Sequence, residues 1–197
     1  SYLRKYDVLR GIKDGGTFLP NSLWDAEETV KRLPDHVKAT LARKHVKFYI
    51  IDATKIASEI GLGGRTNTIL QSAFFKITGI IPYEDAVKYM KDAIVKSYGK
   101  KGENIVNMNY AAVDRGGEYT QVEVPAEWAS LTAKFETPGK DRLAPGFVKD
   151  IADVVNSQAG DSLPVSSFVP FADGTMPAGT AAYEKRGVAV KVPVWNP

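Results

Sequence analysis

The sequence has no cysteine among its 197 residues. That excludes a disulfide framework, a thiolate nucleophile, a Cys-ligated zinc and an iron–sulfur cluster held by this chain. Histidine is scarce too, with only His36 and His45. Both fall in a strongly charged stretch expected to form a solvated helix, and neither is spaced to meet a carboxylate cluster. A His-based metal site or a Ser-His-Asp triad is therefore not expected. No apolar run reaches the ~20 residues that a membrane span needs, and no signal peptide opens the chain. The expectation is a soluble, cytoplasmic protein with no membrane contact. Charge of one sign is also lacking: Lys and Arg number 26 against 23 Asp and Glu, a net +3. That is too little for a surface built to neutralise many phosphates, so nucleic acid is not an expected partner. With 44% hydrophobic residues the chain is not a disordered segment either.

What is present reads as an α/β rhythm followed by an irregular arm. The chain opens on Ser1-Tyr2-Leu3-Arg4-Lys5-Tyr6, without an initiator Met and already inside a short helix, as a truncated domain would. Thr17-Phe18-Leu19 reads as a buried strand after the turn Lys13-Asp14-Gly15-Gly16. Helices are expected over 25–32 and 34–44, with Pro34 at the first helical position and Val37 and Leu41 facing inward. Lys47-Phe48-Tyr49-Ile50-Ile51-Asp52 is the best strand, apolar on both faces, and Asp52 is suited to cap a helix over 53–60. Beyond Gly61-Leu62-Gly63-Gly64 a second helix starts near Thr66, with Ile69, Leu70, Ala73, Phe74 and Ile77 as its apolar stripe and Gly79 at its end. Pro82 opens a third, acidic in front and basic behind, as the helix dipole prefers. The helix from Gly102 to Asp114 should bury Ile105, Val106, Met108, Ala112 and Val113.

After Arg115-Gly116-Gly117 the pattern changes. A short strand is expected over 121–125, a linker over 137–146 and a helix over 147–155. From Ser157 the chain is rich in Pro and Gly, closing on an alternating strand, Gly187 to Trp195, whose Pro193 argues for a sheet edge. The expected fold class is α/β: a partial Rossmann-like three-layer domain with an incomplete parallel sheet flanked by helices, then a small loop-rich α+β arm. A doubly wound fold normally carries about five or six strands, and the strand deficit agrees with the abrupt start.

The most unusual local sequence is Gly61-Leu62-Gly63-Gly64-Arg65-Thr66-Asn67. Glycines before a helix start let a ligand approach the backbone, the exposed N–H groups favour an anion, and Arg65 could add a charge-assisted hydrogen bond. It is not the dinucleotide fingerprint, because Thr66 stands where the third glycine is required. The other reading is a plain helix–loop–helix corner whose glycines only turn the chain, and spacing alone favours it. Asn107, Asn109 and Tyr110 are polar residues on an apolar helix; each Asn either binds a ligand or makes an inter-helical hydrogen bond. Lys96, Lys100 and Lys101 read as a solvated helix end, with phosphate contact as the second reading.

Taken in order, six segments carry a resemblance. They are Gly15-Gly16-Thr17-Phe18-Leu19, Lys47 to Ala53, Glu59 to Asn67, Lys96 to Gly102, Asn107 to Asp114, and Tyr183-Glu184-Lys185-Arg186-Gly187. Together they resemble an internal section of the single-chain pyruvate:ferredoxin (or flavodoxin) oxidoreductases. The resemblance implies that residues 1–117 are the second half of a gamma-like, coenzyme A-binding domain. It further implies that 118–156 are a linker and short helix completing that domain, and 157–197 an EKR-type arm leading towards an absent iron–sulfur domain. The implied reaction is oxidative decarboxylation of pyruvate with coenzyme A, with electrons passing to ferredoxin or flavodoxin. Thiamine diphosphate, magnesium and [4Fe–4S] clusters are implied for the parent enzyme, outside this chain, which alone is expected to be inactive; no catalytic residue and no metal ligand is assigned to it. Asn67 and Asn109 match two coenzyme A contacts of the family, and Gly63, Gly64 and Arg65 flank the first. The implied partners are the rest of the parent chain, a second copy in a homodimer, and the electron acceptor. The alternative is a stand-alone, non-catalytic nucleotide- or protein-binding module.

Overall fold

In the computed structural model, which describes residues 2–135 and 143–183, the apolar run around Phe48 becomes the central strand of a three-stranded sheet. The chain divides into two units, Leu9–Lys134 and Ser1–Val8 with Phe135–Pro197. In chain order the elements are α1 (Tyr2–Lys5), β1 (Thr17–Phe18), α2 (Ala26–Arg32), α3 (Asp35–Arg43), β2 (Lys47–Ile50), α4 (Ala53–Glu59), α5 (Asn67–Thr78), α6 (Tyr83–Tyr98), α7 (Glu103–Asp114), β3 (Thr120–Val122) and α8 (Asp153–Asn156).

The α/β class and the incomplete sheet are as expected from the sequence. The sheet is mixed rather than wholly parallel: β1 runs parallel to β2, whereas β3 pairs antiparallel on the other side, Phe48 opposite Val122. Phe18 stacks on Phe48 with ring centroids 5.7 Å apart, and Tyr119 meets Tyr49 edge-on at 5.4 Å. β1 is not the buried strand expected. Among the described residues it has a strand neighbour on one side only, and Thr17 and Phe18 remain exposed and half-buried respectively. Beside it Leu19, Leu70, Phe74 and Ile77 line an open apolar groove of about 360 Å³. β3 ends before Pro125, which instead leads a short 3-10 turn, Ala126–Ser130. That turn docks on α3, where the Arg43 guanidinium donates to the carbonyls of Ala129 (3.0 Å) and Leu131.

Helix starts and stops follow local chemistry. Asp25 accepts from the Glu28 N–H at 2.8 Å, Asp52 from the Lys55 N–H at 2.8 Å, and Gly79 closes α5 in the left-handed region at φ 58°. Pro34 sits one position earlier than expected, as the extended residue before α3, where its fixed φ is equally at home.

Two helices face differently from their apolar pattern. α5 buries Ile69, Ser72 and Ala73, while Phe74 stays 48% exposed. The reason is Ser72. Its hydroxyl donates to the Val113 carbonyl at 2.6 Å and lies 3.0 Å from the Tyr83 hydroxyl, so a fully buried polar group is satisfied. Gly116 completes the contact, since a Cβ there would collide with Ser72 and come within 2.8 Å of the Ile69 carbonyl oxygen. α7 buries Val106, Asn109, Ala112 and Val113, leaving Ile105 and Met108 half-buried. It serves two cores at once. Ala112 joins Ile51, Ala57, Leu62 and Ile69 on one side, and Val106 and Val113 join Met90 and Ile94 on the other.

In the smaller unit the helix expected over 147–155 opens α-helical at Gly146 and Phe147, widens into a π turn over Val148–Ala152 and returns to α in α8. Val148 and Ile151 are buried, Phe147 packs edge-on against Phe171 at 4.8 Å, and 3-10 turns follow at Gly160–Ser162, Val165–Phe171 and Thr180–Tyr183. The closing strand from Gly187 to Trp195, the Glu184-Lys185-Arg186 motif, and Pro138 and Gly139 of the linker lie outside the described residues.

Gly116→Ala should destabilise the chain by about 1–3 kcal/mol, the usual cost of overpacking. Gly64→Ala, where an added Cβ meets nothing within 4 Å, should be neutral or mildly stabilising. Urea denaturation of the two variants side by side checks the contrast.

Candidate functional site

The glycine turn connects α4 to α5. Gly61 and Gly63 both hold positive φ, 83° and 61°, which side chains rarely adopt. Between them Leu62 is buried, its N–H donating to the Ala57 carbonyl at 2.8 Å, and this pins the turn to the end of α4. Gly61 also passes close to α7, since a Cβ there would lie 3.0 Å from the Met108 sulfur. The turn therefore rests on the middle of α7, next to Asn109, while Gly63, Gly64 and Arg65 face solvent. Thr66 precedes α5 without a side-chain cap to its first turn.

An ion-pair brace secures this corner. The Arg115 guanidinium reaches Glu59, at the last turn of α4, at 2.8 Å and binds Glu118 through two bonds of 2.6 and 2.8 Å. The hydrogen bonds from Arg115 hold the Glu118 carboxyl below its ordinary value of 4.5, and those from Glu118 and Glu59 raise the already high value of Arg115. The brace fixes where α4 ends relative to the close of α7, and with it the start of the glycine turn.

Asn67 is exposed at the first turn of α5 and lines a cleft of about 310 Å³ between α5 and α6. Asn109 is buried on α7, and its Nδ2 donates to the Ile105 carbonyl at 2.8 Å within its own helix. An inter-helical bond is thus not what that N–H makes. Asn109 does not line the cleft that Asn67 lines. Gly63, Gly64, Arg65 and Asn67 form one continuous feature, and the Gly61–Met108 approach is what brings the α7 segment carrying Asn109 to it. Lys96 and Lys100 are exposed, whereas the Lys101 ammonium sits 5.3 Å above the Tyr98 ring. His36 is half-buried on α3. His45 lies past that helix in the left-handed region, φ 48°, its ring nitrogen 3.0 Å from an Asp14 oxygen. Among the described residues no group of three or more His, Asp or Glu could hold a metal ion, and no helix is long and apolar enough to cross a membrane.

The Arg115 brace and the cleft were not read from the sequence. The spacing of Arg115 and Glu118 was a usable signal; the identity of Glu59 as third partner was not. Gln71, one helical turn beyond Asn67, is the cleft residue that helical spacing could have supplied.

An α/β unit with an incomplete sheet and an exposed glycine turn before a helix is the class that these features define. Against known families, residues 1–119 match the one described as pyruvate ferredoxin/flavodoxin oxidoreductase, and residues 133–189 match the EKR domain, a domain of unknown function. The chain belongs to the pyruvate ferredoxin/flavodoxin oxidoreductase family. It is 52% identical over 198 residues to a pyruvate:ferredoxin oxidoreductase of Moorella thermoacetica, covering 100% of this chain and 17% of that protein. It is 51% identical over 197 residues to a pyruvate-flavodoxin oxidoreductase of Enterobacter agglomerans, covering 100% of this chain and 16% of that protein. The chain thus spans about a sixth of the length of the curated relatives it matches. Among solved structures, pyruvate oxidoreductase subunit PORC of Thermotoga maritima aligns with a TM-score of 0.47 and 24% identity, over 61% of this chain and 60% of that one.

Because the Glu118 carboxyl is held below 4.5 when folded, its pairing with Arg115 stabilises the chain fully above about that pH and is lost as the pH falls through the lowered value. Glu118 is half-exposed, so the contribution is at most about 1 kcal/mol. Glu118→Gln should be less stable than the parent sequence at pH 7, and the gap should shrink at pH 3. Urea midpoints at the two pH values measure it.

Proposed function

We propose that this chain is an internal part of an oxidoreductase that oxidatively decarboxylates pyruvate with coenzyme A to acetyl-CoA and carbon dioxide, passing the electrons to ferredoxin or flavodoxin. The observation that carries this reading is the match from end to end, at about half identity, to proteins roughly six times as long. The partners are then the remaining domains of the parent chain, a second copy in a homodimer and the electron acceptor, in the cytoplasm. Within it, residues 1–117 form the second half of the coenzyme A-binding domain, 118–156 complete it, and 157–197 form the EKR-type arm.

The parent's redox groups do not fit this stretch. With no cysteine the chain offers no thiolate to a [4Fe–4S] cluster. Its described residues also gather no carboxylate or imidazole set for magnesium beside thiamine diphosphate. Its share is to bind coenzyme A. Gly63 and Gly64 open the backbone to the ligand, and Arg65 offers a charge-assisted bond to phosphate. Asn67 and Asn109 contribute amides able to hydrogen-bond the nucleotide or the pantetheine arm. The exposed glycines and the position of Asn67 on the wall of a cleft support this reading.

An immunoblot of denatured extract, with antibody raised against this chain, should show a band several times its 21.5 kDa mass. A band at that mass would favour a stand-alone module instead. In the parent enzyme Asn67→Ala and Asn109→Ala should each weaken coenzyme A binding by about 1–2 kcal/mol, the worth of a polar contact, and spare pyruvate-dependent thiamine chemistry. Unchanged Michaelis constants for coenzyme A in both variants would overturn the assignment.

A further inference from the structure

The cleft between α5 and α6 has a distribution of chemistry that says more than its position. Its wall on α5 is a stripe at helical spacing, Asn67, Gln71 and Phe75, and its wall on α6 is another, Tyr89, Ala93 and Ser97. Ala93 and Ser97 are small, and Met90 and Ile94, which also line the cleft, belong to the core shared with α7. Among the described residues no charged side chain lines the cleft. Such an interior cannot compensate a phosphate but suits an uncharged planar ring with hydrogen-bonding edges.

The cations are at one end. A four-residue turn joins α5 to α6, so the start of α5 and the end of α6 lie at the same mouth, and both Asn67 and Tyr98 line it. Arg65 is two residues before Asn67, and the Lys101 ammonium lies over the Tyr98 ring. A cationic mouth opening on an uncharged aromatic and amide interior has the polarity of a nucleotide, phosphates outside and base within. Tyr89 is 60% exposed and lines the wall, and an aromatic ring is a group on which bases stack. The Gln71 amide offers the donor and acceptor pair that matches an adenine edge.

We propose that the α5–α6 cleft is the purine pocket of the coenzyme A site: the base lies against Tyr89, Gln71 hydrogen-bonds its edge, and the phosphates stay at the mouth by Arg65 and Lys101. The inference rests on the coenzyme A reading given above. It adds Gln71 and Tyr89 as residues that select the nucleotide half of the ligand.

The test is titration calorimetry on the full-length parent enzyme with two probes, coenzyme A and its adenosine bisphosphate half alone. Two variants alter the cleft: Gln71→Leu removes the amide, and Ala93→Phe fills the space from an exposed position on α6. Matching thermal unfolding curves verify that both are folded. The expected result is a loss of at least tenfold in affinity for both probes with Ala93→Phe, and a smaller parallel loss with Gln71→Leu. If Ala93→Phe leaves adenosine bisphosphate binding unchanged while Asn67→Ala still weakens coenzyme A, the purine assignment is overturned and the coenzyme A reading stands. If coenzyme A binding is indifferent to Asn67→Ala, Asn109→Ala and both cleft variants, the two readings fall together.

Discussion

The larger unit depends on how closely α5 can approach the end of α7. Gly116 has no side chain, so the backbone after α7 settles onto Ser72, and the Ser72 hydroxyl donates to the carbonyl of Val113 at the edge of the same contact. A hydroxyl buried this deeply would cost stability without a partner. With one, it fixes the rotation of α5 more sharply than an apolar residue could, because a hydrogen bond has a direction. That rotation points Asn67 and Gln71 towards α6 and leaves Phe74 facing the groove beside β1.

α7 carries the rest. It contributes Ala112 to the core under the sheet and Val106 and Val113 to the core under α6, and Lys91 of α6 ties to its last residue, Asp114, at 2.7 Å. Met108 supports the glycine turn from below, and Arg115, just past the helix, grips Glu59 on the other side of that turn. One helix thus sets both walls of the candidate site, directly through α6 and indirectly through the corner before α5.

Much of this was legible because its causes are local. The caps at Asp25 and Asp52, the stop at Gly79 and the polarity of α6 each depend on residues a few positions apart. The family is legible for another reason, since six short segments in one order specify it jointly. The features that were not legible are partnerships over distance. Ser72 and Val113 are separated by 41 residues, and nothing near Ser72 says that a serine on that helix turns inward. Gly116 reads as a turn glycine whether or not another helix lies against it. The antiparallel pairing of β3 with β2 is not written in Thr120, Gln121 and Val122 themselves. Asn109 stood out as polar on an apolar helix, but its bonded N–H turned back to Ile105 on its own helix.

The groove beside β1 has a practical meaning. Among the described residues Thr17 and Phe18 form a strand with one unclaimed side, and Phe74 and Leu70 provide an apolar floor next to it. A free strand edge with greasy backing is a template for another chain. Pairing of that edge with a second copy would grow with protein concentration, a consequence that the balanced charge of the chain does not suggest.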